Sequence, residues 1–180
     1  MKSAFGAAAV VIGLLASTAS VFATAAIGLR TSLDNCINPD LSSPERISAC
    51  NQIIHTNLFP PMTKARLVTS RGNAYFAVGN LDSALDDYTK AISLDAALRP
   101  PVVNRAVTLV RLGKCEQANL DFNAALVADS HSWRALYGRS LCKAKIGDQV
   151  GAQSDLAAAT AINPNAAREF VPVEIPRWYQ

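Results

Sequence analysis

Between Arg71 and Asn163 the chain repeats itself every 34 positions, and few folds are compatible with such a period. Arg71, Arg105 and Arg139 stand in step. So do Gly79, Gly113 and Gly147; Ala84, Ala118 and Ala152; Asp87, Asp121 and Asp155; and Ala91, Ala125 and Ala159. Asp95, Asp129 and Asn163 close the three units with a short polar side chain. A fixed period of this size marks an all-α solenoid of stacked helical hairpins, in which no single unit can bury its own apolar face. Such arrays generally hold other molecules and do no chemistry.

Within the first unit, Leu67, Val68, Gly72, Tyr75 and Phe76 recur at helical spacing, and Gly79-Asn80 then breaks the helix. Leu81, Ala84, Leu85, Tyr88, Ala91 and Ile92 resume the period as far as Asp95. Pro100 and Pro101 open the second unit, where a first helical turn needs no amide donor. Ser130-His131-Ser132 precedes the third, which ends at Asn163-Pro164. Small residues at 72, 84 and 91 let the two arms approach closely, with Tyr75 and Tyr88 filling the wider gaps.

These units resemble tetratricopeptide repeats, whose pattern is W-x2-L-G-x2-Y, then A-x3-F, then A and P. The first unit offers Val68, Arg71, Gly72, Tyr75, Ala84, Tyr88, Ala91 and Ala96; the second Val102, Arg105, Ala106, Leu109, Ala118, Phe122, Ala125 and Ser130. The third offers Leu136, Arg139, Ser140, Lys143, Ala152, Leu156, Ala159 and Pro164. Lys143 at the aromatic place and arginine at the leucine place depart from the pattern. The resemblance covers about 100 residues. It implies an α-solenoid of three tetratricopeptide hairpins (65–98, 99–132 and 133–166, together 63–166) with an N-terminal helix and a short capping helix. Cys36 and Ile47-Ser48-Ala49-Cys50 before the repeats make the arrangement similar to small exported repeat proteins of alpha-proteobacteria.

The N-terminus reads as an export signal over residues 1–25. Lys2 is the only charge before Arg30, Ala4 to Leu15 is apolar or glycine, and Ala23-Thr24-Ala25 suits a signal peptidase. The alternative is an uncleaved anchor, since uncharged sequence runs from Ser3 to Leu29. Ser17, Thr18, Ser20 and Thr24 dilute its second half, and no basic cluster follows. The expected setting is periplasmic or secreted, with membrane contact only if the signal stays uncleaved. A net charge of +3 is too weak to point to nucleic acid.

Four cysteines in an exported chain point to disulfides rather than metal. Sequence proximity favours Cys36–Cys50, which would clip an N-terminal segment (26–62) with little else to hold it. Cys115 and Cys142 fall near adjacent ends of antiparallel helices, so they either form a second bond or remain two small buried thiols. No C-x-x-C spacing exists, and His55 and His131 are remote from the cysteines.

The arginine and aspartate columns fit a structural ladder, in which each aspartate pairs with its own arginine or the next unit's. The resemblance places binding elsewhere, on the first helix of each hairpin, which lines a concave groove. Those positions carry Arg66, Thr69, Ser70 and Asn73; Val103, Asn104, Val107 and Arg111; and Arg134, Tyr137, Leu141 and Lys145. Guanidinium and amide groups there suit an extended peptide, including one ending in a carboxylate. Some tetratricopeptide proteins grip the C-termini of cytosolic chaperones with two lysines, two asparagines and an arginine. Asn73, Asn104 and Arg134 stand at three of those places, with Thr69 and Gly138 at the other two, and an exported protein would not meet a cytosolic chaperone. The expectation is a non-catalytic adaptor without cofactor, monomeric or weakly self-associating, that binds a protein or peptide. The competing reading is an assembly component acting through its convex face or its tail. Residues 167–180 are expected to cap the array and continue as an extended segment, because Pro172 and Pro176 forbid a helix.

Overall fold

The computed structural model describes residues 25–170, and the expectations about the export signal's apolar run and the last ten residues lie outside that range. Nine helices follow one another among the described residues: α1 (25–37), α2 (Ser43–Ile54), α3 (Pro61–Ala77), α4 (Leu81–Leu94), α5 (Arg99–Arg111), α6 (Cys115–Ala128), α7 (Trp133–Lys145), α8 (Gln149–Ile162) and α9 (Ala166–Glu169). No helix among the described residues is long and apolar enough to cross a membrane. α3/α4, α5/α6 and α7/α8 are the three hairpins, and each packs on the next.

The turn chemistry explains the strict period. Gly79, Gly113 and Gly147 adopt φ of 80°, 75° and 94°, the left-handed conformation that ends a helix without a Cβ clash. The amide of the following residue returns to a carbonyl five residues back: Asn80 to Tyr75, Lys114 to Leu109 and Asp148 to Lys143, each at 2.9 Å. Asn80 then caps α4 by accepting from the Ser83 amide, and Asp148 caps α8 by accepting from Gly151. Between hairpins, the side chains of Asp95, Asp129 and Asn163 accept the amides of Ala97, His131 and Asn165. The recurring short polar residue is therefore a turn-former.

Packing follows the small residues. Ala84, Ala91, Ala106, Ala118 and Ala159 are wholly buried between helices. A Cβ on Gly72 would come within 2.8 Å of the Tyr88 ring, and one on Gly138 would overlap the Phe122 ring. Tyr88 and Phe122 thus need glycine opposite them.

Before the repeats, α1 and α2 form a clipped pair. A disulfide joins Cys36 to Cys50, and the Cys36 carbonyl also accepts the Ser70 hydroxyl of α3 at 2.7 Å. Ser42 starts α2, with its amide donated to Glu45 at 3.0 Å in a capping box. Cys36, Ala49, Cys50, Ile53 and Leu67 make a separate small core there. Closing that loop stabilises by about 3 kcal/mol in the chain-entropy model. Cys115 and Cys142 form no bond: both are free thiols in the central core. Burial, and then the neighbouring Cys115 sulfur, push the Cys142 thiol well above its usual range. The sequence alternative of two buried hydrophobes is the one the structure adopts.

Candidate functional site: the concave groove

Two arginine populations must be separated before a site can be defined. The first is the ladder. Arg71 grips Asp87 with two bonds at 2.9 and 2.7 Å, Arg105 grips Asp121 at 2.8 and 2.7 Å, and Arg139 grips Asp155 with both at 2.7 Å. Each aspartate chooses the arginine of its own hairpin. The third arginine nitrogen reaches back to the preceding unit, to Thr89 from Arg105 and to Asn123 from Arg139. Arg71 does the same toward Asn51, so α2 stands in for a preceding hairpin's second helix. Bidentate hydrogen bonds to aspartate raise all three arginine pKa values against the opposing effect of burial. Lys143, the departure from the repeat pattern, joins this ladder at 2.9 Å from Asp155. Burial alone would raise the Asp155 pKa, but its bonds to Arg139 and Lys143 outweigh that and hold it low.

The second population lies on the concave side, where three half-buried guanidiniums have no carboxylate partner among the described residues. Arg111 covers the Phe76 ring at 4.7 Å, and Arg134 sits 5.7 Å from the Trp133 ring. Burial lowers the Arg134 pKa, offset in part by Tyr88 and by no acidic residue. Arg46, on α2, donates to the Ser70 hydroxyl at 3.0 Å, and its Nε is buried without a hydrogen-bond partner among the described residues. A buried N–H left unmatched costs stability unless something supplies an acceptor.

Between these cations lies a polar centre. The Tyr88 hydroxyl donates to Asn73 Oδ1 at 2.9 Å, and Asn104 Nδ2 donates to the same oxygen at 2.8 Å. One carbonyl oxygen thereby links α3, α4 and α5, and the Asn73 Nδ2 donors have no partner among the described residues. Burial drives the Tyr88 phenol pKa strongly upward, Asp87 adds to this, and Arg134 and Arg46 pull against it. The phenol is therefore a neutral donor, and both guanidiniums act on it.

The predicted groove residues divide accordingly. Asn73, Asn104 and Arg134 come together around Tyr88, and Arg111 lies on the same face. Arg66 is exposed on α3. Tyr137 packs its ring 5.0 Å from Phe170, Leu141 is partly open to solvent, and Lys145 donates to the Gly113 carbonyl at 3.4 Å. Thr69 and Val107 are buried, with the Thr69 hydroxyl turned to the Ala65 carbonyl at 2.7 Å. Gly138, the other gap in the clamp pattern, is occupied by its packing against Phe122. Sequence reasoning passed over Arg46, which precedes the repeats, and the Tyr88 hydroxyl. The latter had a signal: tyrosine stands where the second unit has Phe122, so its extra oxygen needs a partner. His131 lies in an exposed turn beside Ser130 at 3.2 Å. The described residues contain no group of three potential metal ligands.

Comparison with known proteins agrees with this architecture. Residues 65–96 match the tetratricopeptide repeat family, and the described residues form a tetratricopeptide-type solenoid. The chain is 31% identical over 97 residues to a DnaJ homolog subfamily C member 7 homolog of Dictyostelium discoideum. It is 28% identical over 129 residues to human RNA polymerase II-associated protein 3. The alignments cover 52% and 72% of this chain but only 18% and 19% of those proteins. Among solved structures, the first repeat domain of Spaghetti (RPAP3), bound to the HSP90 peptide SRMEEVD, is 28% identical with a TM-score of 0.56. That match spans 61% of this chain and 89% of that one. A repeat protein from Parabacteroides merdae, 24% identical with a TM-score of 0.65 over 78% of this chain and 54% of that one, shares the fold.

Proposed function

We propose that the protein is a non-catalytic adaptor of the cell envelope that holds an extended acidic segment of a partner protein in its concave groove. The observation that carries this is the set of half-buried guanidiniums on Arg46, Arg111 and Arg134, which lack a carboxylate among the described residues while every ladder arginine has one. Asn73 and Asn104, fixed by Tyr88, supply amide groups between them. A backbone or side-chain carboxylate laid across this centre would meet charge-assisted donors in a partly desolvated site. The acidic peptide bound by the Spaghetti domain supports the same ligand class. Arg66 and Lys145 at the margins add positive charge that speeds encounter more than it tightens binding.

The envelope setting rests on residues 1–25 and on the likeness to small exported repeat proteins of alpha-proteobacteria. It separates this chain from cytosolic chaperone partners. Fluorescence anisotropy with a labelled glycine–serine peptide carrying glutamates, beside its lysine-substituted counterpart, tests the groove. The glutamate peptide should bind and weaken steeply with salt; equal binding of both peptides, or of neither, sinks the reading. A second reading has one observation in its favour. Leu120 and Val127 are 71% and 91% exposed on the outer face of α6, where the first unit has Asp86 and Ser93. An assembly role through that convex face predicts that Leu120→Asp abolishes partner capture while leaving peptide binding intact.

A further inference from the structure

Ser70 departs from the habit of other hydroxyls on the repeat helices. Thr69, Thr108 and Thr160 each turn back to the carbonyl four residues earlier on their own helix: Ala65 at 2.7 Å, Asn104 at 2.8 Å and Leu156 at 2.9 Å. That is an ordinary choice for a helical hydroxyl. Ser70 instead donates away from α3, to the Cys36 carbonyl at 2.7 Å. Cys36 lies in the last turn of α1, where carbonyls have no amide of their own helix to accept.

A serine hydroxyl carries one proton and two lone pairs. With the proton committed to Cys36, the oxygen is left as an acceptor, and Arg46 of α2 uses it: Nη2 donates to Ser70 Oγ at 3.0 Å. The same nitrogen lies 3.5 Å from the Ser70 backbone carbonyl. The guanidinium is thereby tied at one nitrogen, while its Nε is buried with no hydrogen-bond partner among the described residues. The Arg46 charge reaches the Tyr88 phenol at the polar centre of the groove, as does that of Arg134.

The disulfide anchors this relay. Cys36 and Cys50 join α1 to α2 with their Cα atoms 4.7 Å apart, and Arg46 stands one turn before Cys50. The carbonyl acceptor and the guanidinium donor therefore sit on two helices that the bond locks together, with Ser70 between them.

We propose that Ser70 is a positioning residue of the groove: held by Cys36, it fixes Arg46 with Nε left for a carboxylate of the ligand, which makes the Cys36–Cys50 clip part of binding as well as of stability. Freed from Ser70, a long side chain such as arginine spreads over many rotamers, and a ligand would have to order it again. The inference rests on the reading of the groove as an acidic-segment site, and it extends that site to α1 and α2, ahead of the repeats.

Two readouts test it. The first is the Arg46 Nε–Hε NMR signal of the full chain without ligand, assigned by its loss in Arg46→Gln. Ser70→Ala is expected to shift that signal and speed its exchange with water. Cys36→Ser combined with Cys50→Ser should do the same, while the Arg139 Nε signal of the ladder keeps its position. If the cysteine variant loses the Arg139 signal too, Ser70→Ala decides. The second readout is affinity for the glutamate-bearing glycine–serine peptide. Arg46→Gln and Ser70→Ala should each weaken it about tenfold. The double variant should bind no more weakly than Arg46→Gln alone, because the serine acts only through the arginine. An Arg46 signal unmoved in Ser70→Ala, or additive losses in the double variant, would overturn the proposal. Wild-type affinity in Ser70→Ala overturns this role alone, whereas a wild type that binds no glutamate peptide overturns the acidic-segment reading and this role with it.

Discussion

Arg71 and Arg134 both lie on the first helices of their hairpins, yet their surroundings have opposite logic. Arg71 is bound on both prongs by Asp87, touches Asn51 on the preceding helix and lies over Tyr75. Its charge is cancelled inside the protein, and its geometry ties one hairpin to its neighbour. Arg134 is also half-buried, but it has an aromatic ring beside it and no anion among the described residues. A guanidinium held that way has no ion pair to lose within the described residues, and the proposed function assigns it to a ligand. The same residue type is therefore paired internally on one column and left without a carboxylate among the described residues on the other, and the proposed recognition role rests on that difference.

The largest effect should come from breaking the ladder. Arg71→Ala leaves the Asp87 carboxylate, only 7% exposed, without its cation. Removing one partner of a buried pair costs about 3–5 kcal/mol. We expect a loss near the lower figure by urea unfolding, because the arginine edge still meets solvent. A loss below about 0.5 kcal/mol, typical of surface substitutions, would make the ladder a solvated feature and erase the contrast.

Packing comes next. Gly138→Ala places a methyl into the Phe122 ring, and overpacking of this kind costs about 1–3 kcal/mol. A thermal midpoint equal to wild type would show that α6 and α7 can separate freely. It would also reopen position 138 as a groove position that sequence drift left empty.

The pH response sharpens the comparison further. Asp155 has a folded-state pKa held below its ordinary 3.8, so the unfolded chain takes up that proton more readily. Its stabilising contribution is complete above the unfolded value and is lost as pH falls through the folded one. Wild type should therefore lose more stability than Asp155→Asn between about pH 5 and pH 3, in the window set by that ordinary value. Parallel loss in the two proteins, read from urea midpoints, would mean that the third rung is electrostatically idle.

The ladder could be read in the sequence because the period placed an arginine and an aspartate level with each other three times. What it left open was the choice between two pairings, which turns on backbone approach at glycine and alanine positions. Helical spacing alone brought Asn73, Asn104 and Arg134 to one face, and the structure gathers them near Tyr88. Thr69 and Val107 turned out buried, because the inner face of a first helix is partly covered by its neighbours and spacing carries no information on depth. Arg46 lies outside the period, so only the fold brings it to Ser70. For Cys115 and Cys142 the sequence could place the two residues on neighbouring antiparallel helices but could not choose between a bond and two free thiols; the structure shows the free thiols.

The most direct test is to compare Arg134→Gln with wild type for both acidic-peptide affinity and unfolding midpoint. A hydrogen bond to a charged group contributes about 1.5–3 kcal/mol, and 1.4 kcal/mol is a factor of about ten in Kd. The account predicts affinity weakened about tenfold or more, with stability unchanged within about 0.5 kcal/mol. Unchanged affinity, or a fall in stability as large as that from Arg71→Ala, would contradict it.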